Sequence, residues 1–111
     1  MARRVAVIDV GSNSLKVLVA EEHAGALSAV AEATEEVRLS PALDEPAEEI
    51  SLRAQTAGLA AIGRLLAVAR ENGAEEIRLV GTSLLREAKN GTAFAAAVAA
   101  QWGVALKILS G

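Results

Sequence analysis

Cysteine and tyrosine are absent from the 111 residues, and phenylalanine, tryptophan, methionine and histidine each occur once. Without cysteine there is no disulfide framework and no thiolate metal site, a usage that suits a reducing cytoplasm. Aromatics at 2% provide no ladder of rings for base stacking, and a net charge of −3 provides no basic stripe to follow a nucleic-acid backbone. Nucleic acid is therefore not an expected partner. No apolar run approaches the roughly 20 residues that span a bilayer. The earliest run, Val5–Val10, is interrupted by Asp9 and followed at once by Gly11-Ser12-Asn13-Ser14, too soon for a secretory signal. The chain reads as cytoplasmic and clear of membranes.

What is plentiful is small and apolar. Hydrophobic residues make up 52%, much of it alanine, which points to close helix packing and to a face that expects a partner. The length allows a single domain, residues 1–111.

Val5-Ala6-Val7-Ile8-Asp9-Val10 predicts a strand buried on both faces. Turn chemistry at Gly11–Ser14 leads to a return strand over Leu15–Ala20, and a polar turn at Glu21–Gly25 leads to a third strand over Leu27–Val37. Two prolines and several acids between Leu39 and Glu49 predict a surface loop. Ser51 then caps a long helix whose apolar face is Leu52, Leu59, Ile62, Leu66 and Ala69, stopped by Asn72-Gly73. A strand at Ile77–Gly81, a short helical stretch at Ser83–Lys89, a helix capped by Thr92 with Phe94, Val98 and Trp102 on one face, and a strand at Ala105–Leu109 complete the series. The order βββαβαβ describes a meander followed by right-handed crossovers. That is the α/β architecture of a ribonuclease-H-like/actin-like lobe, with a mixed sheet. A crossover fold places a helix after its last strand, so the ending at Ser110-Gly111 predicts a lobe truncated before its last helix.

Two segments carry chemistry. In Asp9-Val10-Gly11-Ser12-Asn13-Ser14, a tight bend with short polar side chains gathers main-chain N–H groups into a nest for an anion such as phosphate. The same residues also suit an ordinary hairpin turn begun by Asp9. One feature favours the nest: Asp9 lies in an apolar run, where an unpaired carboxylate is costly. In such a site Asp9 would hold Mg²⁺ or orient water, and Lys16 would add positive charge or face solvent. In the second segment, Gly81-Thr82-Ser83 ends a strand and opens a helix, with Arg86 within reach of a phosphate. Here the plain reading is a cap at Thr82 or Ser83 and a surface arginine paired with Glu87 or Asp44. The lone His23 falls in the polar turn, and Phe94 with Trp102 reads as core.

These residues resemble those of the exopolyphosphatase/guanosine-pentaphosphate phosphatase (Ppx/GppA) family. Ile8-Asp9-Val10-Gly11-Ser12-Asn13-Ser14-Leu15-Lys16 resembles its opening signature, and Val37-Arg38-Leu39 its Arg-Leu motif. Gly81-Thr82-Ser83-Leu84-Leu85-Arg86-Glu87-Ala88-Lys89-Asn90-Gly91 resembles its Ala-Thr-Ser-x-x-Arg-x-Ala-x-Asn-Gly motif. Ile108-Leu109-Ser110-Gly111 resembles the start of its Ser-Gly-x-x-Glu-Ala motif. The resemblance implies hydrolysis of a terminal phosphoanhydride of polyphosphate or guanosine pentaphosphate, with a divalent metal such as Mg²⁺, in a cleft between two lobes. By that resemblance Gly11, Ser12, Asn13, Ser14, Thr82 and Ser83 bind phosphate, with contributions from Lys16 and Arg38. Asp9 serves the metal, and Arg86 binds the transferring phosphoryl group. It also places the general base past Gly111 and leaves the choice of substrate to the second lobe, so the 111-residue piece is expected to be inactive by itself. A lobe in that state would expose part of its sheet, which predicts self-association or packing against a C-terminal lobe. Two other readings are a nucleotide-binding lobe of the acetate- or sugar-kinase type and a non-catalytic interaction module.

Overall fold

Along the first strand, Ala6, Ile8 and Val10 are buried while Val7 and Asp9 are exposed. The antiparallel neighbour repeats the alternation, with Leu15, Val17 and Val19 inside and Lys16 and Leu18 outside. The sheet is therefore buried on one face only, which corrects the expectation of a first strand covered on both. Val7 remains 42% and Leu18 39% exposed, because every helix described packs against the other side.

The computed structural model describes residues 2–40 and 49–109. Its elements are β1 (Arg3–Val10), β2 (Leu15–His23), β3 (Ala26–Glu35), α1 (Leu52–Glu71), β4 (Glu76–Gly81), α2 (Ser83–Glu87), α3 (Gly91–Trp102) and β5 (Leu106–Ile108). The strand order is β3-β2-β1-β4-β5. The first three strands pair antiparallel, and β4 and β5 join parallel to β1. This is the mixed sheet of the ribonuclease-H-like/actin-like lobe. The loop expected between Leu39 and Glu49 lies mostly at residues 41–48, outside the described residues, as do Asp44, Ser110 and Gly111.

β2 runs on through His23, and the turn shrinks to Ala24 (φ 53°) and Gly25 (φ 82°), both left-handed. Two positive-φ residues match the twist of a two-residue hairpin, and the cost of placing Ala24 there falls on an alanine rather than on a glycine or asparagine. β3 ends at Glu35, two residues before the expected Val37.

Ser51 caps α1 as expected, its Oγ accepting from the Ala54 N–H at 3.1 Å. Gly73 (φ 74°) supplies the left-handed stop, while Asn72 keeps a negative φ and its Nδ2 donates to the Val68 carbonyl at 2.8 Å. The buried seam of α1 is Gly58, Ala61, Ile62, Leu65, Leu66 and Ala69. Leu52, assigned to that face by its spacing, is 78% exposed: it stands in the first turn, off the seam. Gly63 lets the Trp102 ring of α3 lie on α1, since a Cβ there would meet Cζ2 of the indole at 2.3 Å. The indole Nε1 donates to the Leu59 carbonyl at 2.8 Å, and Phe94 is fully buried, so the two aromatics are core as expected.

Candidate phosphate site

Because β4 lies parallel to β1, the carboxyl ends of the two strands share one edge of the sheet, with Val10 opposite Gly81. The Gly11–Ser14 bend leaves β1 at that edge, and Thr82-Ser83 leaves β4 beside it. β5 also ends there, with Ile108 opposite Gly81. Ligands of open α/β sheets collect at such an edge, beyond the carboxyl ends of parallel strands. The topology thus brings together the two segments singled out in the sequence.

The bend is closed by the Gly11 N–H donating to the Ser14 carbonyl at 3.1 Å, and a Cβ on Gly11 would sit 3.0 Å from that same oxygen. Gly11 therefore permits the close turn, and its own N–H is engaged within it. The Ser12 carbonyl accepts from the N–H groups of Leu39 (2.8 Å) and Ser40 (3.1 Å), which fastens the bend to the segment after β3. Side chains extend the link, since Arg38 Nε donates to Ser40 Oγ at 3.1 Å and Ser40 Oγ to Asn13 Oδ1 at 3.3 Å. Among the described residues, the backbone N–H groups of Ser12, Asn13 and Ser14 have no backbone partner. They remain as candidate donors to an anion, and Asn13 is exposed.

Asp9 departs from expectation. It is exposed, on the uncovered face of the sheet, and its strand partner is Lys16. The desolvation argument for it therefore fails: the alternation of β1 turns it away from the core. Lys16 is exposed too, with Nζ 3.6 Å from Glu32. Among the described residues no group of three or more His, Asp or Glu side chains converges on one point. Asp9 is a single carboxylate beside the bend. That suits a magnesium ion carried mainly by phosphate oxygens and water, which needs only one or two protein carboxylates.

At the second segment, Thr82 occupies the N-cap position of α2, but its side chain makes no capping bond, and Thr82 and Ser83 are exposed. Arg86 does not pair with Glu87, and Asp44, the other acid suggested for it, lies outside the described residues. Its Nη1 donates to the Leu109 carbonyl at 2.8 Å, and Leu109 N–H returns to the Gly81 carbonyl at 2.8 Å. The guanidinium is thereby fixed at the end of β5, on the same sheet edge as the bend, with donors to spare. Helix α3 begins earlier than expected. Its N-cap is Asn90, not Thr92, and Asn90 does not cap it: the amide reaches instead to Ile50. Gly91 lies against α2, where a Cβ would meet the Leu85 carbonyl oxygen at 2.0 Å. The Asn90–Ile50 and Asn13–Ser40 contacts had no signal in the sequence, since both join segments remote in the chain. His23 ends β2, exposed and away from this edge.

Comparison with known proteins bears on the family and the fold. A model of the Ppx/GppA phosphatase family matches residues 18–111. A guanosine-5'-triphosphate,3'-diphosphate pyrophosphatase of Aeromonas hydrophila is 36% identical over 106 residues, covering 96% of this chain and 21% of the relative. The crystallised PPX-GPPA enzyme of Aquifex aeolicus superposes with a TM-score of 0.89 at 25% identity, covering 98% of this chain and 36% of that one. An exopolyphosphatase from Cytophaga hutchinsonii shares the fold, with a TM-score of 0.88 at 17% identity, over 98% of this chain and 35% of its own. The chain thus spans about a fifth of the length of the curated relatives it matches and about a third of the solved ones.

Proposed function

Because this chain belongs to the Ppx/GppA phosphatase family, we propose that it is the phosphate-gripping lobe of an enzyme that hydrolyses terminal phosphoanhydrides of polyphosphate or guanosine pentaphosphate. The observation that carries the proposal is the pairing of Val10 with Gly81, which sets the Gly11–Ser14 bend and the Thr82–Arg86 segment on one edge of the sheet.

In this reaction water attacks the terminal phosphorus, the bond to the bridging oxygen breaks, and the products are orthophosphate and a chain shorter by one phosphate. The residues here hold the phosphate rather than transfer protons. Main-chain N–H groups at 12–14, with the hydroxyls of Ser12, Ser14, Thr82 and Ser83, orient the terminal phosphate. Arg86 keeps its Nη1 on Leu109 and turns its remaining N–H groups to the equatorial oxygens, where charge develops. Lys16 and Arg38 add positive charge from either side of the bend. Asp9 would hold a magnesium ion, which when bound neutralises charge on the phosphate oxygens. The general base and the second wall of the cleft belong, in this reading, to the remaining length seen in the relatives.

Support for self-association comes from the open face, where Val7 and Leu18 stand exposed. Sedimentation across a concentration series checks it, and a monomer at every concentration contradicts it. The phosphate assignment is tested by calorimetric titration of pyrophosphate into the wild type, Asn13→Ala and Arg86→Ala. Both variants are expected to bind more weakly, Arg86→Ala by about tenfold for loss of a charge-assisted contact. Equal binding by all three contradicts it.

A further inference from the structure

Gly91 opens α3 and is buried. Its φ lies outside the left-handed region, so alanine would suit its backbone and, as a helix former, would be favoured there by up to about 1 kcal/mol. The glycine is therefore required by its surroundings and not by its own conformation. A Cβ built there would run into the main chain of Leu85: its carbonyl oxygen first, then its carbonyl carbon and Cα. That carbonyl belongs to the rigid peptide unit joining Leu85 to Arg86, so the bare surface of Gly91 sets where the chain delivers Arg86. The contact is backbone against backbone, and no rotamer change relieves it. Leu85 is held from the other side as well, since it is 2% exposed and its Cδ1 lies against the place where a Cβ on Gly81 would stand. The five-residue α2 is thus seated between two glycines, one at the end of β4 and one at the start of α3. The far end of the Arg86 side chain is fixed separately, by Nη1 donating to the Leu109 carbonyl at 2.8 Å.

We infer that Gly91 is a positioning residue for Arg86: the space left by its missing side chain lets the Leu85–Arg86 peptide lie against α3, and so directs the guanidinium to the sheet edge where the Gly11–Ser14 bend stands. The inference rests on the phosphate reading of that edge and adds to it a buried residue that acts only through another. A guanidinium gives its full effect when its fork faces the anion, and a misplacement of about 1 Å is enough to lose much of it. A Cβ at residue 91 must move the Leu85–Arg86 peptide, and with it the root of the Arg86 side chain, while Nη1 stays tethered to Leu109. The fork then turns away from the bend even though the arginine itself is intact.

The test takes two readouts on the wild type, Gly91→Ala, Arg86→Ala and the double variant. The first is the Nε–H resonance of Arg86 in protein without ligand, assigned by its loss in Arg86→Ala; Gly91→Ala is expected to shift it. The second is pyrophosphate affinity by calorimetry. Gly91→Ala is expected to lower it about three- to tenfold when Arg86 is present and by less than about twofold when Arg86 is alanine, as for residues that act through one contact. Gly63→Ala, at the other end of α3 against Trp102, is a destabilised control expected to leave both readouts in place. An unmoved Arg86 resonance in Gly91→Ala, or an affinity loss of equal size with and without Arg86, overturns the assignment. Should Gly91→Ala not fold, Gly81→Ala takes its place, pressing on Leu85 through the buried side chain. A smaller shift of the same resonance is then expected, and no shift overturns the assignment. If Arg86→Ala binds pyrophosphate as the wild type does, the phosphate reading of Arg86 falls, while the resonance by itself still decides whether Gly91 positions it.

Discussion

Asn90 and Ile50, forty residues apart, form a closed pair: Asn90 Nδ2 donates to the Ile50 carbonyl at 2.9 Å, and the Ile50 N–H donates to Asn90 Oδ1 at 2.9 Å. The amide side chain behaves as a fragment of backbone would in a sheet, satisfying both polar groups of a residue that is 1% exposed. It ties the turn between α2 and α3, and hence the segment carrying Arg86, to the start of α1.

Replacing Asn90 with alanine strands the Ile50 N–H in a buried setting. The cost expected is about 1–3 kcal/mol, read as a lower urea midpoint with an unchanged slope. Asn90→Asp should not restore stability at neutral pH, because a carboxylate oxygen would then face the Ile50 carbonyl. An unaltered midpoint in the alanine variant would show that the pair is incidental.

Gly63→Ala is a second stability test. Alanine is the better helix former by about 1 kcal/mol, yet its Cβ would enter the Trp102 ring. Overpacking of that kind costs about 1–3 kcal/mol, so the net change expected is destabilising. Trp102 is the sole tryptophan, so its fluorescence reports the displaced ring directly. Trp102→Phe in the Gly63→Ala background should recover part of the loss; failure to do so would place the strain elsewhere.

Asp9 is exposed, so Asp9→Asn should leave stability within about 0.5 kcal/mol of wild type. Its effect is expected on metal dependence. Magnesium should strengthen pyrophosphate binding by the wild type and strengthen it several-fold less in the variant, while binding without metal persists. An identical magnesium response in both proteins would remove Asp9 from the metal's coordination.

Much of this arrangement was legible in the residues. The β-branched runs, Ser51, Gly73 and Gly103 mark elements and stops that the fold confirms, because each acts within a few residues of itself; Gly103, for example, takes the left-handed conformation at the end of α3. The exposure of Asp9 was not legible for the opposite reason. An apolar run does not reveal whether its strand is covered on one face or two, and that depends on which side the later helices take. Thr92 looked like a cap because hydroxyls often are, but the helix starts earlier, at a turn shaped by Gly91 lying against Leu85. The link from Arg38 through Ser40 to Asn13 needs two segments brought together by β2 and β3, which no local pattern displays.

The central claim, one phosphate held between two loops at one sheet edge, is tested most directly by following backbone amide resonances of isotopically labelled protein as pyrophosphate is added. The account predicts that the amides of Ser12, Asn13 and Ser14 shift together with those of Thr82 and Ser83, all along one saturation curve, and that Arg86→Ala weakens that curve for both groups. Shifts confined to one loop, or following two unrelated affinities, would contradict it.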